Sequence, residues 1–169
     1  ESLYHLKESL RVLKWLNPAL KDTMIMLLQI WNFSPTWLNL LKTRDYHAGD
    51  AETSLIKYWT PEAVRAKIVL DKPAVAEMLR DDPDSYQKRS SFSGSKDEIP
   101  LTVQRAEVKV GVMGYPEKAS AATGRKITEE ILANASPVLK KAIAQAEKAR
   151  KSGARIEIRT DEKLKILSL

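Results

Sequence analysis

Residues 23–33 read TMIMLLQIWNF, a nearly continuous apolar run. Pro18 and Lys21-Asp22 close the segment before it, and Ser34-Pro35 follows it. A short apolar run between turn signals suits a strand of a sheet covered on both faces. Working outward, Leu3, Leu6, Leu10, Leu13 and Leu16 recur at helical spacing, with Ser2 available as a cap. Downstream, Ser34-Pro35 offers an N-cap with proline at the first helical position, so TWLNLLKTR predicts a short helix.

The rest of the chain continues this alternation. Thr60-Pro61 restarts a helix through Glu62-Ala63-Val64, and Lys72-Pro73 introduces another over PAVAEMLRD. Residues 81–98, DDPDSYQKRSSFSGSKDE, are polar and turn-rich, and the wider segment 81–105 reads as an exposed insertion loop. EVKVGVMG predicts a strand ending in glycines. A helical pattern of about 30 residues follows, with a kink expected at Ser136-Pro137 and a stop at Gly153. ARIEIRT alternates as an edge strand would. This order predicts a single α/β domain over 1–169, a three-layer α/β/α sandwich with a mostly parallel sheet.

Composition narrows the function classes. Hydrophobic residues at 43% and charged residues at 30% describe a soluble globular chain. No window approaches the roughly 18 apolar residues of a membrane span, and no membrane partner is expected. There are no cysteines, so disulfides, thiolate metal sites and cysteine nucleophiles are excluded. That suits a reducing, cytoplasmic setting. The net charge is +6, and residues 140–165 hold nine Lys/Arg against four acids. No aromatic residue interleaves there to stack on bases. A solvated helix face is therefore favoured over a nucleic-acid-binding module. The chain opens ESLYHLKESL, with neither an initiator Met nor a signal-peptide order, and is expected to be trimmed or excised from something longer.

Between the apolar runs lies RDYHAGDAETS, residues 44–54, with one of the two histidines. His47-Ala48-Gly49 sets an imidazole before a backbone that can turn sharply, because Gly49 tolerates positive φ. Glu52-Thr53-Ser54 opens a helix, where a carboxylate in the first turn is favoured by the dipole. A His and a Glu from one loop could serve as acid and base or hold a metal between them. They could equally form a capping arrangement around a hydrogen-bonded histidine. His5, between Tyr4 and Leu6, reads as a surface or packing residue.

A resemblance bears on these alternatives. Asp45-Tyr46-His47-Ala48-Gly49-Asp50-Ala51-Glu52-Thr53-Ser54 resembles the D-x-H-A-G-x-x-E-T-S signature of the creatininase (creatinine amidohydrolase) family. Gly111-Val112-Met113-Gly114-Tyr115-Pro116, with Ala119-Ser120 and Gly124-Arg125, resembles that family's C-terminal G-V-x-G-D-P-x-x-A-T-x-x-x-G stretch. The resemblance implies a layered α/β fold, a higher oligomer, and hydrolysis of a C–N bond in a small amide, cyclic amide or formamide. It also implies one or two divalent metals, zinc or manganese, that activate a water.

Carried over by position, His47 is implied as the proton-handling catalytic residue. Glu52 is implied as a catalytic residue that is a metal ligand or its neighbour. Asp45 is implied to orient His47 or its loop, Gly49 to permit the turn, and Thr53 and Ser54 to cap the helix. The family's E-x-H and N-G-H-G-x-N segments, which carry most metal ligands, do not occur in this sequence. The expectation is a C-terminal portion of a creatininase-like fold, incomplete without an N-terminal portion and completed by a separate N-terminal chain. A non-catalytic assembly subunit of the same fold is the alternative. Tyr115 stands where the family has Asp, and the nearest tryptophans before the loop are Trp31 and Trp37. The resemblance therefore does not extend to a pocket for creatinine itself.

Overall fold

The computed structural model describes residues 2–20, 25–90, 101–152, 160–161 and 164–167. The chain divides into two compact units, Ser34–Glu130 and the pair Glu1–Phe33 with Ile131–Leu169.

In Ser34–Glu130 the helices begin where the sequence places caps. Helix α2 (Pro35–Leu41) starts at Ser34, whose Oγ accepts from the Trp37 N–H at 3.0 Å, with proline at the first position. Glu130 reinforces this end: its carboxylate accepts from Ser34 Oγ (2.6 Å), the Thr36 N–H (3.0 Å) and Thr36 Oγ1 (2.7 Å). Burial pushes the Glu130 carboxyl up, but these donors and Lys126 outweigh it and hold it below the usual range. Helix α3 (Asp50–Trp59) follows the quoted loop, and α4 (Pro73–Asp81) covers the predicted PAVAEMLRD. The Thr60-Pro61 start yields only one 3-10 turn, Pro61–Ala63. Trp37, Ala51, Leu55, Ala76, Leu79, Val108, Ala119 and Ile127 are the buried apolar residues of this unit.

Two expectations change here. Within 81–105, where a loop was expected, β2 (Gln87–Ser90) and β3 (Leu101–Gln104) pair antiparallel, Gln87 opposite Gln104. The expected turn-rich residues between these strands lie outside the described residues. EVKVGVMG is not a strand. The N–H groups of Lys109, Val110 and Gly111 point to the carboxylate of Asp71 instead of a neighbouring strand.

In the other unit, α1 (Ser2–Leu16) occupies the predicted helical stripe. Of the stripe's leucines with described side chains, Leu10 is buried while Leu13 and Leu16 are exposed. TMIMLLQIWNF does not make one long strand: Ile25–Leu27 is strand β1, and Ile30–Phe33 winds into a 3-10 turn. Strand β1 pairs antiparallel with β5 (Leu164–Leu167), and β5 with β4 (Thr160–Asp161), in the order β1-β5-β4. All ladders among the described residues are antiparallel, so the mostly parallel sheet is not found among them. The ARIEIRT strand and the Gly153 stop fall largely outside the described residues.

Helix α5 (Ala121–Ser152) runs 32 residues with Pro137 inside it. Proline has no N–H for the carbonyl four residues back, that of Ala133. Nearby, Ser136 Oγ donates to the Leu132 carbonyl and Asn134 Nδ2 donates to the Phe33 carbonyl at 2.9 Å.

Candidate functional site

The signature loop lies wholly within Ser34–Glu130 and is built around a buried carboxylate. Asp45 is only 3% exposed. Its Oδ1 accepts from the Asp50 N–H (2.7 Å) and the Tyr115 N–H (3.0 Å), and its Oδ2 from the Ala51 N–H (2.9 Å). Two of these donors are orphan groups of the first turn of α3, so Asp45 does the work of a cap from five residues upstream. The third belongs to the glycine-proline stretch. One side chain thus joins the two motifs.

Gly49 has a different reason from the one its sequence suggests. Its φ is −91°, and the left-handed residue is Ala48, at φ 51°. A β-carbon on Gly49 would run into the Asp45 carboxylate and reach within 2.9 Å of Gly114 Cα. One on Gly114 would meet the same carboxylate and come within 2.7 Å of Gly49 Cα. The two glycines are a close backbone crossing over Asp45, not a turn device. Ala48 carries the turn, at a cost of about 1–2 kcal/mol for an L-residue in that region. Glu52 Oε2 holds it there by accepting the Ala48 N–H at 2.6 Å.

His47 is fixed through its backbone. Its N–H donates to the Met113 carbonyl (3.2 Å), its carbonyl accepts from the Met113 N–H (2.9 Å), and the Tyr46 N–H also reaches the Met113 carbonyl (2.7 Å). Its Nδ1 lies 3.3 Å from Glu52 Oε2, with the two side chains 64% and 42% exposed. That contact fixes which ring nitrogen faces the carboxylate and leaves Nε2 as the atom able to exchange a proton outward. At such exposure the pairing adds little stability. Orientation is its contribution.

The surroundings tie the loop down on several sides. Arg44, also left-handed at φ 66°, pairs with Glu77 and with Asp81 (2.9 Å) on α4. Arg80 Nε donates to the Gly114 carbonyl at 3.0 Å, and its guanidinium lies 4.4 Å from the centre of the Tyr115 ring. Lys118 Nζ sits 4.0 Å from the same centre. Where the family has an acid, this chain therefore has an aromatic ring with two cations against it. Thr53 and Ser54 do not cap α3. Thr53 Oγ1 approaches the Ala48 carbonyl (3.3 Å), while Ser54, fully buried, donates to Asp50 (2.8 Å) and accepts the Ser120 N–H (2.9 Å). Ser120 is the residue that caps a helix, accepting the Thr123 N–H at 3.0 Å at the start of α5. Gly124 then lets α5 cross α3, since a β-carbon there would strike the Ser54 carbonyl.

The structure thus gathers His47, Glu52, Asp45, Gly49 and the glycine-proline stretch. It also engages Asp71 and Arg80, which sequence reading passed over. Their only signal was an acid and a base flanking or ending α4.

The family described as creatinine amidohydrolase (Creatininase) matches residues 7–139, and the chain belongs to it. No curated protein and no solved structure matches the chain. Among the described residues the side chains do not assemble the divalent-metal centre the family implies. One imidazole and one carboxylate face each other, and among the described residues no group of three or more His, Cys, Asp or Glu could hold a metal ion. No helix among them is long and apolar enough to cross a membrane.

Proposed function

We propose that the chain is the C-terminal part of a metal-dependent amidohydrolase and supplies the proton-handling half of its site. The observation that carries this reading is the His47–Glu52 pair, set at 3.3 Å on a loop whose backbone is bonded to the second family motif. Hydrolysis of a C–N bond requires a proton on the departing nitrogen. An imidazole with Nδ1 against a carboxylate and Nε2 free is suited to deliver it. Glu52 has two tasks, to orient the ring and to hold the Ala48 turn. The substrate class is a small amide, cyclic amide or formamide.

The donor set, incomplete among the described residues, is the ground for a further part of the reading: the zinc or manganese ligands come from a separate N-terminal chain in a higher oligomer. In that assembly the three-layer sandwich with its mostly parallel sheet is completed by the other chain. The same incomplete donor set favours one rival, a non-catalytic subunit that only helps assembly.

The test measures metal content and amide turnover of the native assembly. His47→Ala should lower kcat by about 10²–10⁴ while metal content stays, and Glu52→Ala should lower it as well. Full turnover in both variants refutes the site. A metal-free assembly of this chain alone that is inactive on amides favours the rival.

A further inference from the structure

We propose that Asp71 is a positioning residue for His47, acting through the backbone of residues 109–113. The functional consequence rests on the amidohydrolase reading above; the structural link does not.

Three successive N–H groups converge on this one carboxylate: Lys109 at 2.7 Å, Val110 at 3.1 and 3.2 Å, and Gly111 at 2.7 Å. Gly111, at φ +81°, turns the chain directly after them. Two residues further on, Met113 makes every backbone bond that fixes Tyr46 and His47. The register of His47 is therefore set by a two-residue arm projecting from the Asp71 anchor. On the far side of Met113, the Gly114 carbonyl is taken by Arg80. Asp71 lies two residues before α4 and Arg80 within it, so residues 109–114 are held at both ends by one continuous stretch of chain.

The position matters because the partner of the imidazole lies elsewhere. Glu52 is on α3, whose first-turn Asp50 and Ala51 N–H groups are held by Asp45, a carboxylate that also accepts the Tyr115 N–H. If the arm shifts, the His47 backbone bonded to Met113 moves relative to α3, and the 3.3 Å approach lengthens. Asp71 is 9% exposed. Burial pushes its carboxyl up, but the N–H groups of Gly111, Lys109 and Val110 and the charge of Lys109 hold it below the usual range. An amide in its place would turn an NH2 toward N–H donors or leave one of them without an acceptor.

The experiment uses the complete chain in its native assembly with Asp71→Asn, reading amide hydrogen exchange residue by residue together with kcat and KM. Exchange at Tyr46, His47 and Met113 should quicken by about tenfold, the scale of one lost charged hydrogen bond. Asp50 and Ala51 should be nearly unchanged. In the same variant kcat should fall with KM held. Faster exchange confined to residues 109–111 would overturn the proposal, and so would an unchanged kcat where His47→Ala is inactive. Should Asp71→Asn fail to fold, Gly111→Ala disturbs the same arm from the other side and is judged by the same amides. Full activity of His47→Ala would remove the catalytic role given to His47 alone, leaving exchange to decide the link.

Discussion

The two compact units hold their chains in place by different means. In Ser34–Glu130 the polar backbone of the loops is satisfied largely by buried or half-buried side chains: Asp45, Asp71, Glu130 and Ser54 each accept or relay bonds from residues far away in sequence. In Glu1–Phe33 with Ile131–Leu169, long-range ties include the β1-β5-β4 ladder and the Asn134–Phe33 bond. That unit also leaves Trp15 80% and Leu16 65% exposed. The first unit is specified by polar groups with fixed geometry, which suits a site. Exposed apolar side chains occur in both units, Trp59 and Val103 in the first as well as Trp15 and Leu16 in the second, so they do not separate the two.

The comparison breaks most easily at Asp45. Asp45→Ala would strand three N–H groups in a buried position and should cost about 3 kcal/mol or more, since each orphaned donor costs about 1–3. Asn134→Ala, in the other unit, removes one side-chain bond and should cost about 1 kcal/mol. Urea unfolding of both variants measures the difference. Equal losses would mean that polar specification does not distinguish the units.

Next in size is Gly114→Ala. The added carbon meets Gly49 backbone and the Asp45 carboxylate, neither of which can swing away. A loss of about 1–3 kcal/mol is expected, together with faster exchange at the Tyr115 amide. A variant as stable as the parent would show that the crossing of the two glycines is looser than its geometry suggests.

A smaller effect carries a pH signature. Glu130 and Asp71 both titrate below ordinary carboxylates in the folded chain. With a depressed folded pKa, the stabilisation is present above the unfolded carboxylate range. It drains away as pH falls through that range, until the folded group protonates too. Glu130→Gln should therefore cost about 1 kcal/mol at neutral pH and approach the parent in acid. A gap that widens in acid would reverse the assigned sign.

Local signals in the sequence were legible where one residue decides the outcome. Ser34-Pro35 and Lys72-Pro73 start helices because a cap or a proline acts within one turn. The signature's Asp45, His47 and Glu52 were named through the family resemblance, since spacing alone left a site and a capping loop both open. What was not legible depends on partners far along the chain. EVKVGVMG has strand propensity, yet Asp71, 38 to 40 residues earlier, takes its N–H groups. Gly49 looked like a turn residue because the crossing with Gly114, set by Asp45, has no local trace. TMIMLLQIWNF satisfies both strand and buried-turn patterns, and periodicity cannot separate them in so short a run.

The smallest expected effect tests the other side of the comparison. Trp15 is exposed on α1, so Trp15→Ser should change the stability of the isolated chain by no more than about 0.5 kcal/mol. If this apolar surface is covered by another chain, the same substitution should weaken assembly far more than folding, because a buried Trp is a common anchor of interfaces. Unfolding and sedimentation measured side by side separate the two. A large loss of folding stability with assembly intact would show that Trp15 serves its own unit. Trp15 would then not be an assembly contact.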